Sequence, residues 1–180
     1  MINLYKETIP EYAKDIKLNF SQMLGDESST LTPEQIAGIS LSCAYVTDNE
    51  ALIRVLHDEY GIELTDERVS AAKAAASIMA MNNVYYRFTH LVSNKEYQTL
   101  PAKLRMNVIA DPGVDKIEFE LYSLAISAIN GCGLCMDLHT KVLEKSAMST
   151  LAIQQAVKIG AIVAALTQVA KNEALAEISA

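Results

Sequence analysis

The sequence predicts an all-α, single-domain fold over residues 1–180, on three observations. Only 7 Gly and 4 Pro interrupt the chain, alanine and long unbranched side chains are abundant, and apolar residues recur at helical rather than alternating spacing. No low-complexity or linker segment divides the chain, and its length suits one domain with a full hydrophobic core.

The elements follow in order. Thr32-Pro33-Glu34-Gln35 opens a helix, because Thr32 can cap, Pro33 suits the first helical position and Gln35 completes a capping box. Asp48 is expected to cap the next helix, Glu50 to about Tyr60, which should stop at Gly61, where a residue tolerant of left-handed geometry is wanted. Thr65-Asp66-Glu67-Arg68 begins a long helix to about Val92, and Pro101 reopens helical sequence to about Val108. Asp111-Pro112-Gly113 is the clearest turn. Asp115-Lys116-Ile117-Glu118 reads as another capping box, starting a helix that runs to Asn130. Asn130-Gly131 should end it, since both residues tolerate positive φ, which puts Cys132 at or near the start of the following helix. The last helix runs from about Thr150 to Lys171 and carries the apolar run from Ile159 to Leu166, a core face far too short to cross a bilayer.

With 15 basic and 22 acidic residues the net charge is −7, so the summed field repels phosphate backbones and anionic lipid. Neither nucleic acid nor a membrane is an expected partner. The N-terminus carries early charge of both signs and no long apolar core, which argues against a secretory signal and for a cytoplasmic protein.

The chemistry is concentrated in Cys132-Gly133-Leu134-Cys135 and His139. On a helix, Cys135 and His139 share a face and Cys132 sits on the same side. A thiol reacts as its thiolate, so it needs a nearby base, cation or helix N-terminus, and this segment offers both an imidazole and a helix start. A thiolate that attacks a peroxide becomes a sulfenic acid, which a second thiol close by condenses to a disulfide before over-oxidation. Glu118 and Glu120, on the preceding helix, are both candidates for a carboxylate that orients His139 or relays its proton; a solvated helix charge is the competing reading. Cys43, in an apolar stretch, reads as a small buried hydrophobe. Zinc is the rival use of two thiols and an imidazole, but a fourth ligand is missing. Inert burial of both thiols is a further rival, and a thioredoxin-like reading fails for want of strands. Asn83, Tyr86 and His90 repeat the offsets of Cys132, Cys135 and His139. An internally duplicated helix pair accounts for this, as does chance, and the set reads as mainly structural.

Several runs together resemble the alkyl hydroperoxide reductase D (AhpD) family of the carboxymuconolactone decarboxylase-like superfamily. They are Met106-Asn107-Val108-Ile109-Ala110-Asp111-Pro112-Gly113, Phe119-Glu120-Leu121-Tyr122, and Ser127-Ala128-Ile129-Asn130-Gly131-Cys132-Gly133-Leu134-Cys135 ending at His139. Asn82-Asn83-Val84-Tyr85-Tyr86-Arg87-Phe88 and the overall length extend the likeness over most of the chain. The resemblance implies an all-helical subunit with a duplicated core, a homotrimer, and a thiol peroxidase with no bound cofactor. It implies Cys135 as the peroxidatic cysteine, Cys132 as proton donor and resolving thiol, and Glu120 with His139 as the proton relay. It also implies dihydrolipoamide as electron donor, carried on a lipoyl domain of a 2-oxoacid dehydrogenase component and recharged by dihydrolipoamide dehydrogenase, with a peroxiredoxin as electron acceptor. Leu134 departs from members that carry a histidine between the cysteines.

The expected function is therefore an antioxidant thiol peroxidase that reduces organic hydroperoxides. The rival readings are a disulfide reductase or adaptor for a peroxiredoxin, and a non-enzymatic zinc-binding or redox-sensing protein.

Overall fold

A computed structural model describes residues 1–25 and 28–178, and its described residues form helices joined by short turns, with no strand among them. The helices are α1 (Ile2–Glu7), α2 (Lys14–Gly25), α3 (Pro33–Thr47), α4 (Glu50–Glu59), α5 (Asp66–Leu91), α6 (Asn107–Ala110), α7 (Lys116–Ile129), α8 (Gly133–Lys145) and α9 (Thr150–Ile178), with 3-10 turns at Glu11–Ala13 and Lys95–Gln98.

The centre is α7. It packs against α3, α5, α8 and α9, and every residue from Glu118 to Ser127 is buried. A helix surrounded on all sides has no solvent face, so its sequence is apolar nearly all round. Its polar residues Glu118, Glu120, Ser123 and Ser127 are therefore exceptions that need partners or a use. Gly38 on α3 lets α7 approach closely: a Cβ there would lie 1.8 Å from the Tyr122 hydroxyl oxygen. The long helix α9 lies along α2, α3, α7 and α8, burying Ala152, Ala156, Ile159, Val163 and Leu166 at helical spacing. By length and composition alone the Thr150–Ala176 stretch would suffice to cross a bilayer, but here its apolar stripe is spent on the bundle.

The Thr32–Gln35 box forms in full, with Thr32 Oγ1 accepting from the Gln35 N–H at 3.3 Å and Gln35 Oε1 from the Thr32 N–H at 3.0 Å. Thr65 caps α5 through the Arg68 N–H. Other expectations are corrected. Asp48 is not the cap of α4; it closes α3 in the left-handed region at φ 60°, and Asn49 caps α4 through the Leu52 N–H. One junction needs both a left-handed stop and a cap, and two adjacent residues divide the work. Gly61 does not have positive φ, because α4 ends at Tyr60 and a bond from the Leu64 N–H to the Tyr60 carbonyl (2.8 Å) closes the turn.

Residues 101–106 are not helical, and only Asn107–Ala110 is. Lys103, at φ 52°, breaks the helical course, and the segment runs beside α5 with Leu100, Ala102 and Leu104 lining clefts against that helix. Contact with α5 overrides local propensity there. Asp115 caps α7 by accepting from the Ile117 and Glu118 N–H groups, but Glu118 does not complete the box because its carboxylate is held by Arg68. The last helix continues beyond Lys171 to Ile178.

Candidate active site

The junction between α7 and α8 builds the site. α7 ends at Asn130 in right-handed geometry (φ −81°), followed by Gly131 alone at φ 67°, so only the glycine uses the expected positive φ. The Cys132 N–H returns to the Ser127 carbonyl (3.0 Å) and the Gly131 N–H to the Ala128 carbonyl (3.1 Å), the paired bonds of a Schellman stop. Cys132 is also the N-cap of α8, its Sγ accepting from the Cys135 N–H at 3.3 Å. One residue thus finishes one helix and starts the next.

Cys132 and Cys135 are joined as a disulfide, with their Cα atoms 5.3 Å apart. Cys132 is fully buried and Cys135 retains 4% exposure. One turn further along α8, the His139 Nδ1 lies 2.7 Å from Glu120 Oε2, both side chains being mostly shielded from solvent. The thiol pair, the imidazole and the carboxylate named from the sequence therefore lie along the packed α7–α8 pair.

The two acidic candidates separate cleanly. Glu118 faces Arg68, which donates from Nε to Oε1 at 2.5 Å and from an Nη to Oε2 at 3.2 Å, and the Tyr122 hydroxyl also donates to Oε1. The Glu118 hydrogen bond holds the Arg68 guanidinium above its ordinary pKa, and burial first, then that carboxylate, raise the Tyr122 phenol. Glu118 is thus engaged as scaffold while Glu120 faces the imidazole. Cys43 is fully buried, as expected of a small hydrophobe, and burial pushes its thiol up to about 12.

Asn83 packs at the junction rather than standing apart. Its Nδ2 donates to Ser127 Oγ at 2.9 Å and its Oδ1 accepts from Asn130 Nδ2 at 2.9 Å. Tyr86 and His90 line a cleft of about 410 Å³ with Tyr85, Tyr97 and Leu100, and Leu134, one of the two residues between the cysteines, forms part of its wall. The residues that sequence reasoning did not single out are Arg68, Ser127 and Arg87, whose Nη1 donates to the Asn130 carbonyl at 2.5 Å. Nothing local marks them, because their partners lie on other helices. Among the described residues no three His, Cys, Asp or Glu side chains converge in a way that could hold a metal ion.

Residues 95–177 match the carboxymuconolactone decarboxylase family. Over longer spans the chain is similar to proteins named alkyl hydroperoxide reductase AhpD. That of Coxiella burnetii (strain RSA 493 / Nine Mile phase I) is 54% identical over 170 residues, covering 94% of this chain and 96% of the relative. That of Azorhizobium caulinodans is 54% identical over 163 residues, 91% of this chain and 89% of the relative. That of Brucella abortus (strain 2308) is 54% identical over 158 residues, 88% and 89% respectively. With identity of this level across most of both chains, on an all-helical bundle, the chain belongs to the AhpD family of the carboxymuconolactone decarboxylase-like superfamily.

Proposed function

We propose that this chain is an antioxidant alkyl hydroperoxide reductase that works by dithiol–disulfide cycling at Cys132 and Cys135. The observation that carries the reading is the Cys132–Cys135 disulfide at the start of α8 with the His139–Glu120 pair one turn on. The names of the relatives support the same reaction class.

Cys135 is the nucleophile in this reading, and its residual exposure beside a fully buried Cys132 supports the assignment. Its thiolate attacks a peroxide oxygen: an S–O bond forms, the O–O bond breaks, and the alcohol leaves with a proton. Cys132 then attacks the sulfenic sulfur, forming the S–S bond and releasing water. Glu120 occupies Nδ1 of His139, which fixes the ring and leaves Nε2 to exchange protons with the reacting thiols. Leu134 adds no second imidazole, so His139 serves alone.

Dihydrolipoamide then reduces the disulfide, giving two electrons and two protons and leaving as lipoamide. It is carried on a lipoyl domain of a 2-oxoacid dehydrogenase component and recharged by dihydrolipoamide dehydrogenase, and a peroxiredoxin receives electrons in turn. The burial of both sulfurs and the tyrosine-lined cleft ending at Leu134 favour a slender, partly apolar donor arm over a folded protein surface. No bound cofactor is required. The subunit works as a cytoplasmic homotrimer, and the exposed apolar side of α5, with Val84 at 61% and Phe88 at 48% exposure, supports association.

The test is consumption of tert-butyl hydroperoxide with dihydrolipoamide by the wild type, Cys135→Ser and Cys132→Ser. Turnover in the wild type and its loss in both variants is expected, and comparable turnover in all three sinks the assignment. Comparing the rate on a peroxiredoxin disulfide with that on free hydroperoxide separates the peroxidase from an adaptor.

A further inference from the structure

We propose that Asn83 is a positioning residue that sets the redox equilibrium of the Cys132–Cys135 couple. The inference rests on reading that pair as a working couple, but not on which oxidant it meets.

Three hydrogen bonds tie one side of α5 to the turn that presents the cysteines. Asn83, itself 1% exposed, donates through Nδ2 to Ser127 Oγ and accepts through Oδ1 from Asn130 Nδ2, each at 2.9 Å. One turn along α5, Arg87 donates to the Asn130 carbonyl at 2.5 Å. Ser127 and Asn130 are structural ends of the junction: the Ser127 carbonyl receives the Cys132 N–H, and Asn130 is the last residue before Gly131. A single amide thus grips both the point where the chain leaves α7 and the point to which Cys132 is bonded.

Gly131 makes this grip consequential. Glycine has the most backbone freedom to lose on being fixed at one φ, so the two Schellman bonds and the Cys132 cap hold Cys132 over the first turn of α8 against an unusually large entropic cost. While the disulfide is closed the covalent bond also does so. Once it opens, the hydrogen bonds from α5 keep the Cys132 sulfur beside Cys135, which raises its effective concentration for ring closure. In the closing step the Cys132 thiolate displaces hydroxide from the Cys135 sulfenic acid; the S–S bond forms, the S–O bond breaks, and hydroxide takes a proton to leave as water. A turn held less firmly closes more slowly and leaves the sulfenic acid open to a second peroxide, which gives sulfinic acid. Asn83 holds the offset that corresponds to Cys132 in the echoed motif, and its side chain reaches the cysteine turn from a neighbouring helix.

The experiment equilibrates full-length wild type, Asn83→Ala, Asn130→Ala and the double variant against reduced and oxidised dithiothreitol, with no peroxide present, and records thermal unfolding for each. Asn83→Ala should shift the equilibrium toward the dithiol about tenfold, or ~30 mV for a two-electron couple. Asn130→Ala should shift it the same way, and the double variant no further than the larger single shift within twofold. Under repeated peroxide addition the Asn83→Ala protein should accumulate more Cys135 sulfinic acid by mass spectrometry. A folded Asn83→Ala protein within twofold of the wild-type equilibrium overturns the proposal, as do fully additive shifts. Should Asn83→Ala fail to fold, Asn130→Ala decides by the same twofold criterion. A wild type with a well-defined equilibrium but no peroxide turnover defeats the peroxidase reading and leaves this one intact; normal turnover with unshifted variants does the reverse.

Discussion

Glu120 Oε2 lies 2.7 Å from Nδ1 of His139, although the two residues sit on different helices on either side of the Asn130-Gly131 turn. The contact occupies Nδ1 and leaves Nε2 as the ring nitrogen that Glu120 does not engage. Replacing Glu120 by Gln keeps the shape and changes the group that Nδ1 meets. We expect Glu120→Gln to lower kcat/KM for tert-butyl hydroperoxide by roughly 10²-fold, with little change in thermal stability. Steady-state kinetics on wild type and variant decide this, and a rate within threefold of wild type counts against the relay.

Arg68 and Glu118 call for the opposite measurement. Their pairing is bidentate and largely shielded, and Glu118 also receives the Tyr122 hydroxyl, so removing only the guanidinium strands a carboxylate in the core. Arg68→Met should lose about 3–5 kcal/mol in denaturant unfolding. The double variant Arg68→Met/Glu118→Gln should recover a good part of that loss, since no buried charge is then left alone. Equal losses in the single and double variants would argue against this electrostatic account.

Cys43 supplies a chemical check on the assignment of the thiols. Burial pushes it up to about 12, so it stays protonated and shielded at pH 8. After mild reduction the native protein should react first at Cys135, the one thiol with residual exposure, and leave Cys43 unmodified, while the guanidinium-unfolded protein should take up three equivalents of iodoacetamide. Mass spectrometry should locate the first native adduct at Cys135 and none at Cys43.

The apolar side of α5 makes an assembly prediction. Met81, Val84, Phe88 and Leu104 border one cleft, and the Phe88 and Tyr97 rings meet at 5.2 Å, holding the following segment against the helix. Val84 itself points outward at 61% exposure, so Val84→Glu should leave the fold unchanged and reduce the proposed homotrimer to monomers in sedimentation velocity. A trimeric Val84→Glu protein places the interface elsewhere.

The sequence carried those features that are decided within one helical turn. The Thr32–Gln35 box, the Thr65 cap, the Gly131 stop and the Cys132 start all depend on neighbours three or four residues away. Helical phase also put Cys135 and His139 on one side of α8. What it did not carry was decided between helices. Nothing local told Glu118 from Glu120, because the distinction lies in Arg68 on α5 and His139 on α8. The non-helical course of residues 101–106 follows from packing beside α5, and the structural reading of Asn83 could not name its partners Ser127 and Asn130 because they lie on another helix. The Asp48 expectation failed for a smaller reason: the α3–α4 junction needs both a left-handed stop and a cap, and spacing alone did not say which of Asp48 and Asn49 takes which; α4 does stop at Tyr60 as expected, but without a positive φ at Gly61.

The division of labour along α7 makes that helix intolerant of a change in length. Glu118 and Glu120 are separated by one residue yet serve opposite neighbours, Arg68 and His139. Each residue inserted or deleted turns everything beyond it by about 100°. A single-codon insertion between Glu118 and Glu120 would turn one carboxylate against the other, so a helix seated to keep the guanidinium pair would lose the imidazole contact, and one seated to keep the imidazole would strand the guanidinium. Point substitutions test each contact alone; an insertion there sets one against the other.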